Sequence, residues 1–161
     1  MMNALIRLGY KLAFRLILLH GFVTRPHHDG ALVAAWHQGR ILLVRTSYRA
    51  GWTLPGGGME RGESPRDAAI REAHEEIGLV LDPDRLVLEQ ETTIWHEYRW
   101  DHSHIFAIDL DEPPPFKVDG REIVEAAFVR PEAALAFRLP PFLRTYLTAG
   151  RAAALASVVR R

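Results

Sequence analysis

Glu72, Glu75 and Glu76 recur at i, i+3 and i+4. On a helix that spacing gathers three carboxylates within about 100° of arc. Carboxylates held so close raise one another's pKa unless a cation lies among them. Donors made only of oxygen suit Mg²⁺ or Mn²⁺ rather than Zn²⁺, and Mg²⁺ commonly joins carboxylates to substrate phosphates. By itself the E-x-x-E-E spacing also describes a solvated acidic helix face. Two neighbours add weight to the metal reading. Gly56, Gly57 and Gly58 let the backbone approach closely, and Gly56 can offer its carbonyl as a ligand. Arg71 can pair with Glu63, tying the glycine loop to the helix, or can instead face a phosphate.

The whole stretch decides between these readings. Residues 57–79 read GGMERGESPRDAAIREAHEEIGL, which matches G-x5-E-x7-R-E-U-x-E-E-x-G-U at every fixed position, U being aliphatic. Chance agreement is on the order of 10⁻⁸ per starting point. The pattern is the Nudix box, and the preceding Trp52-Thr53-Leu54-Pro55-Gly56 resembles that family's lead-in. Ala73 is smaller than the usual Leu or Ile but still aliphatic. Resemblance to Nudix hydrolases implies that Glu72, Glu75, Glu76 and the Gly56 carbonyl bind the metal. It also implies that Gly57, Glu63, Arg71 and Gly78 are structural. Metal ions in such sites neutralise phosphate oxygens and lower the pKa of bound water. The resemblance implies further that a helix glutamate, Glu72 or Glu75, accepts the water proton, or that a later one does, for which Glu122 and Glu125 are the candidates.

The elements that must carry this site are legible along the chain. Residues 4–19 read as a helix, and residues 24–30 as a polar connection bounded by Pro and Gly. Residues 31–37 and 40–46 read as strands joined at Gln38-Gly39, and residues 52–54 as a short strand before the glycines. Ser64 is placed as N-cap, Pro65 at the first helical position and Asp67 at the third, with Gly78 closing the helix. Strands follow at 86–95 and 103–110, a Pro-rich loop at 112–120, and a strand at 123–129. Pro131 opens a short helix, and Pro141 an Ala-rich one reaching about residue 158. Interspersed strands and helices, together with the resemblance, predict an α/β/α sandwich on a mixed β-sheet with an added N-terminal helix. Residues 1–22 form that helix and residues 23–161 the Nudix domain.

Net charge is zero but uneven. Residues 1–49 hold seven Lys/Arg against one acid, residues 50–137 eight against nineteen, and residues 138–161 five against none. An acidic centre argues against simple neutralisation of a nucleic-acid backbone, and the resemblance implies a small nucleotide as substrate. Without cysteine there are no disulfides, thiolate zinc sites or cysteine nucleophiles. In the first helix Leu5, Leu8, Leu12, Leu16 and Leu19 form an apolar side, interleaved with Arg7, Lys11 and Arg15. Interleaved charge is unlike a leader peptide or a spanning helix. The expectation is a cytoplasmic protein whose first helix packs on the domain or on a partner subunit in a homodimer. An interfacial membrane anchor is the competing reading.

Other features bear on the substrate. Arg45 and Arg49 precede the glycine loop and can meet phosphates. Tyr98 lies slightly beyond the position used by dinucleoside-polyphosphate relatives. His102 and His104 share a strand face at ligand spacing, yet no third nitrogen ligand is apparent; hydrogen-bonding and structural roles remain open to them. The expected reaction is hydrolysis of a phosphoanhydride in a nucleotide sugar or nucleoside triphosphate, releasing a nucleoside monophosphate. The alternatives are a dinucleoside-polyphosphate hydrolase and a non-catalytic nucleotide-binding module. The latter usually lacks box glutamates, and here all are present.

Overall fold

The computed structural model describes residues 2–118 and 120–149. Helix α1 (Met2–Thr24) leads into β1 (His27–His37) and β2 (Arg40–Thr46). The glycine strand β3 (Gly56–Gly58) and helix α2 (Pro65–Ile77) follow, then β4 (Val87–His96), β5 (Arg99–Asp109) and β6 (Ile123–Val129). Two further helices, α3 (Pro131–Ala134) and α4 (Pro141–Ala149), complete the described chain. The expected extension of α4 to about residue 158 lies outside the described residues.

A six-stranded mixed sheet runs in the order β4-β5-β1-β2-β6, with β3 pairing to β1. β1 lies parallel to β5 on one edge and antiparallel to β2 and β3 on the other. Its run ALVAAW is apolar at consecutive positions because both faces are covered. Ala31, Val33 and Ala35 pack under α2 with Ala69, Ala73 and Ile77. Leu32, Ala34 and Trp36 pack under α4 with Leu143, Tyr146 and Leu147. This is the expected α/β/α sandwich.

Local signals placed several boundaries well. Gln38 and Gly39 both take positive φ, 48° and 72°, as the two central residues of a tight hairpin turn require. Ser64 accepts the Asp67 N–H, and Gly78 closes α2 in the left-handed conformation at φ 71°. Other boundaries moved. The polar residues 27–30 are strand rather than connection, because ten consecutive β1 residues pair with β5 and two of their side chains, His28 and Asp29, meet Asp101 and His102 there. Residues 52–54 form only an isolated bridge, Thr53 to Val44, and the ordered strand is the glycine segment itself.

Helix α1 is longer than residues 4–19 because nothing breaks it before Pro26. Its orientation is the larger surprise. Leu5, Leu8, Leu12, Leu16 and Leu19 all point outward, each more than half exposed. Aromatic rings make the contact instead. Tyr10 and Phe14 lie on Tyr48, with centroids 6.0 Å and 5.3 Å apart, and Phe22 meets Tyr98 edge-on at 5.4 Å. Arg7 donates to the Gly120 carbonyl at 2.7 Å. Among the described residues, no helix is long and apolar enough to cross a membrane.

Candidate active site

Helix α2 presents its glutamates toward the glycine strand. Gly56 sits at φ 136°, a conformation L side chains rarely adopt. A Cβ on Gly57 would come 2.6 Å from the Glu72 carboxylate. These glycines therefore leave room for carboxylates against backbone. The Gly56 N–H donates to Glu76 Oε2 at 2.9 Å.

Glu72, Glu75, Glu76 and Glu122 line one small cleft. Three come from the helix, and Glu122 arrives from the segment entering β6. Burial, reinforced by Glu122 and Glu72 and opposed by the Gly56 N–H, pushes the Glu76 carboxyl up to about 8. Tyr48 donates to Glu122 Oε1 at 3.2 Å. Burial, with help from Glu122, raises the Tyr48 phenol well above its ordinary value. Such crowding of half-buried acids is costly without a cation. An all-oxygen set with one carboxyl held near neutrality fits a hard divalent ion.

Arg71 ties these carboxylates to the glycine segment. It donates to both Glu63 oxygens at 2.8 and 3.0 Å, to Glu72 at 2.8 Å, to Glu75 at 3.3 Å and to the Gly58 carbonyl at 3.0 Å. Hydrogen bonds from Arg71 and from the Glu60 N–H hold the Glu63 carboxyl down to about 2. Of the two roles open to Arg71, the structure displays the tie between loop and helix.

Glu76 and Glu122 also border a larger cavity of about 300 Å³. Its walls include Gly56–Gly58, Leu32 and Phe142, with Tyr10, Phe14 and Ile17 of α1 and Tyr48 beside them. At one end His28, Arg99 and Asp101 form a polar patch, His28 and Arg99 each holding Asp101, at 3.1 and 2.8 Å. Burial works against the Asp101 carboxylate, but His28 and Arg99 outweigh it and keep its pKa below the ordinary range.

The remaining sequence candidates separate. Arg49 lines the cavity, donates to Glu97 at 2.7 Å and stacks its guanidinium over Phe14 at 5.0 Å. Arg45 and Glu125 are cross-strand partners, 2.6 Å apart and about half exposed. Neither lines the cleft or the cavity. Tyr98 is half exposed at the β4–β5 turn and borders a neighbouring hollow rather than the main cavity. Sequence reasoning missed Tyr10, Phe14, His28, Tyr48, Arg99 and Asp101. His28 facing Asp101 follows from parallel pairing between distant strands, which leaves no local signal. Tyr10 and Phe14, at i and i+4, are the local signal for the aromatic side of α1.

A mixed sheet sandwiched between helices, with a glycine strand held against a glutamate-bearing helix, is an α/β/α fold with an acidic cleft at its glycine strand. The NUDIX domain matches residues 26–149, from the start of β1 through α4, and the chain belongs to this family. It is similar to the RNA pyrophosphohydrolase of Psychrobacter cryohalolentis, 32% identical over 97 residues that cover 51% of this chain and 55% of that protein. The chain thus spans about half the length of the curated relatives it matches. Among solved structures, a MutT NUDIX hydrolase from Burkholderia pseudomallei superposes with a TM-score of 0.66 at 24% identity, covering 75% of this chain and 95% of that one. An Ap4A hydrolase from C. elegans, in a binary complex, gives 0.62 at 20% identity, covering 81% and 98%. Both likenesses are of fold.

Proposed function

We propose that this chain hydrolyses a phosphoanhydride bond in a nucleoside-diphosphate-linked small molecule, a nucleotide sugar or nucleoside triphosphate, and releases a nucleoside monophosphate. The observation that carries the reading is the carboxylate cleft opening, through shared Glu76 and Glu122, into an aromatic-walled cavity of about 300 Å³. That volume lies at the small end of ordinary ligand sites. Glu72, Glu75 and Glu76 would hold Mg²⁺ or Mn²⁺, with the Gly56 carbonyl as a further ligand. Bound there, the ion supplies charge neutralisation on phosphate oxygens and a water of lowered pKa.

The chain's own residues have distinct tasks in this scheme. Glu75, the most exposed of the helix acids in the cleft, or Glu72 takes the proton from the attacking water. Glu122 would be the later carboxylate in that role, supported by its position in the cleft and by the hydrogen bond it accepts from Tyr48. Glu125 is set aside for that role by its pairing with Arg45. Arg49 and the His28–Asp101–Arg99 patch are the polar contacts available to a phosphate or sugar, while Tyr10, Phe14 and Tyr48 offer ring faces to a base.

The experiment is a phosphate-release screen in Mg²⁺ over nucleoside triphosphates, nucleotide sugars, dinucleoside polyphosphates and a triphosphorylated RNA 5′ end. Small nucleotides should turn over and RNA should not, because α1 roofs the cavity. Turnover should vanish with chelator and return with Mg²⁺ or Mn²⁺. Undiminished rates in excess EDTA after metal stripping would remove the assignment. A preference for dinucleoside polyphosphates is the second outcome to watch, given the Ap4A hydrolase among the structural neighbours.

Contact between α1 and the cavity gives the first helix a part in binding: Tyr10, Ala13, Phe14 and Ile17 line the cavity. Phe14→Ala should raise KM about tenfold while leaving kcat within a factor of two, the pattern of lost uniform binding. An unchanged KM would show that the helix only covers the domain. Sedimentation of the full chain, with and without anionic vesicles, decides whether a second copy or a membrane surface covers the outward leucines.

A further inference from the structure

We propose that Glu91, His102 and His104 form a second divalent-cation site, separate from the glutamate cleft and suited to a borderline transition metal such as Zn²⁺ or Co²⁺. One potential ligand atom from each lies within 4.8 Å of the others. The sheet brings them together. Glu91 of β4 faces His104 of β5 across an antiparallel pair, and His102 is two residues along the same face. Parallel pairing with β1 sets Asp29 against the other side of His102.

What distinguishes the cluster from an ordinary polar patch is the anchoring of its rings. His102 Nδ1 lies 2.9 Å from Asp29 Oδ1, and His104 Nδ1 lies 3.3 Å from the Gly30 carbonyl. Both contacts engage Nδ1, so both Nε2 atoms are turned toward the Glu91 carboxylate, at 3.0 and 3.8 Å. Metal-bound histidines characteristically hold their second ring nitrogen on a carboxylate or backbone carbonyl in this way. Imidazole and carboxylate ligands together favour Zn²⁺, Co²⁺ or Ni²⁺ over Mg²⁺. The His102 and His104 rings lie 4.4 Å apart by centroid, His104 buried and His102 partly open. Three protein ligands leave a fourth position for water.

The site has a structural consequence. Asp29 and Gly30, which orient the two rings, also hold the glycine strand: the Asp29 carbonyl accepts the Met59 N–H at 3.1 Å, and Gly30 pairs with Gly58. A bound ion would therefore stiffen the strand against which the glutamate helix rests.

Co²⁺ titration of the full chain in a large excess of Mg²⁺, read by visible absorption and by melting curves, tests the proposal. Excess Mg²⁺ occupies the all-oxygen cleft. One equivalent of Co²⁺ should bind with a tetrahedral-type spectrum and raise the melting temperature. Glu91→Gln and His102→Gln, both at solvent-accessible positions, should abolish the spectrum while the apo melting temperature stays near wild type. Asp29→Asn should weaken affinity about 10–100-fold, and Glu75→Gln should leave it unchanged. No Co²⁺ uptake by the wild type under excess Mg²⁺, or uptake retained by Glu91→Gln and His102→Gln, would overturn it. Loss of the spectrum in Glu75→Gln would assign the ion to the cleft instead and overturn it equally.

Discussion

Glu75→Gln and Glu76→Gln should each lower turnover about 10²–10³-fold, by analogy with other lost electrostatic groups. That corresponds to roughly 3–4 kcal/mol in barrier. Gln keeps the size of Glu and an oxygen able to accept the Gly56 N–H, so the fold should survive both changes. The two variants should part company on stability. Glu75 is 60% exposed at its side chain, and its replacement should leave the metal-free melting temperature nearly unchanged. Burial, reinforced by the nearby Glu122 and Glu72, pushes the Glu76 carboxyl from an ordinary 4.5 up to about 8.

A carboxyl whose pKa rises on folding makes the folded state hold its proton more tightly. Metal-free wild type should therefore lose stability as pH rises from about 4.5 through about 8, and level off above. The loss is at most about 5 kcal/mol, less whatever water screens. Glu76→Gln should flatten that dependence and be the more stable apo protein at alkaline pH. Saturating Mg²⁺ should reverse the order, since only wild type presents the full ligand charge. Melting curves across pH, with and without Mg²⁺, measure all of this. Wild-type turnover in both variants would mean that the glutamates are a solvated face and not a metal site.

Arg71→Ala should be the most damaging single change outside the carboxylates. It removes the cation shared by Glu63, Glu72 and Glu75 and leaves the Gly58 carbonyl without its donor. Deleting one partner of a largely sheltered pair costs more than the pair contributes, because the remaining charges stay desolvated. We expect a lower melting temperature and a fall in kcat of at least tenfold as the glycine strand loosens from α2. Arg71→Lys should restore the charge but not the fork that grips both Glu63 oxygens, and so recover stability only in part. With Glu63 held at about 2, the pair's contribution is present above the ordinary Glu range and disappears only as pH falls toward 2. Wild-type behaviour should thus persist into mild acid. An Arg71→Ala protein with unchanged melting temperature and rate would refute the role of Arg71 as the tie between loop and helix.

The glutamate helix could be read from sequence because everything that defines it is local. The Ser64 hydroxyl, Pro65 ring and Gly78 backbone set its ends within a turn of themselves, and helical geometry alone brings residues 72, 75 and 76 to one side. The same holds for Gln38-Gly39, whose positive φ values are a property of the two residues. Which later glutamate joins the cleft was a different kind of question. Glu122 and Glu125 are both acidic and three apart, and either suits a strand. The β2–β6 pairing, with a register shift between Arg45 and Thr46, sets Glu125 opposite Arg45 and Ile123 opposite Thr46; Glu122, just before β6, lines the cleft while Glu125 forms an ion pair. Bulges arise from how two distant strands settle together, and no residue in either announces one.

The first helix shows the same division. Its leucines made the stronger hydrophobic pattern, and burial of apolar area would place them inward. Tyr10 and Phe14 took the inner face instead because Tyr48 and Arg49 supply ring and cation partners there, which only the folded domain could bring within reach. Glu91, Asp29 and the two histidines are likewise neighbours by strand order, β4-β5-β1. Local chemistry in this chain was written in the sequence wherever its geometry closes within one helix or turn. Where it depends on strands far apart in the chain, pairing decided which side chains meet.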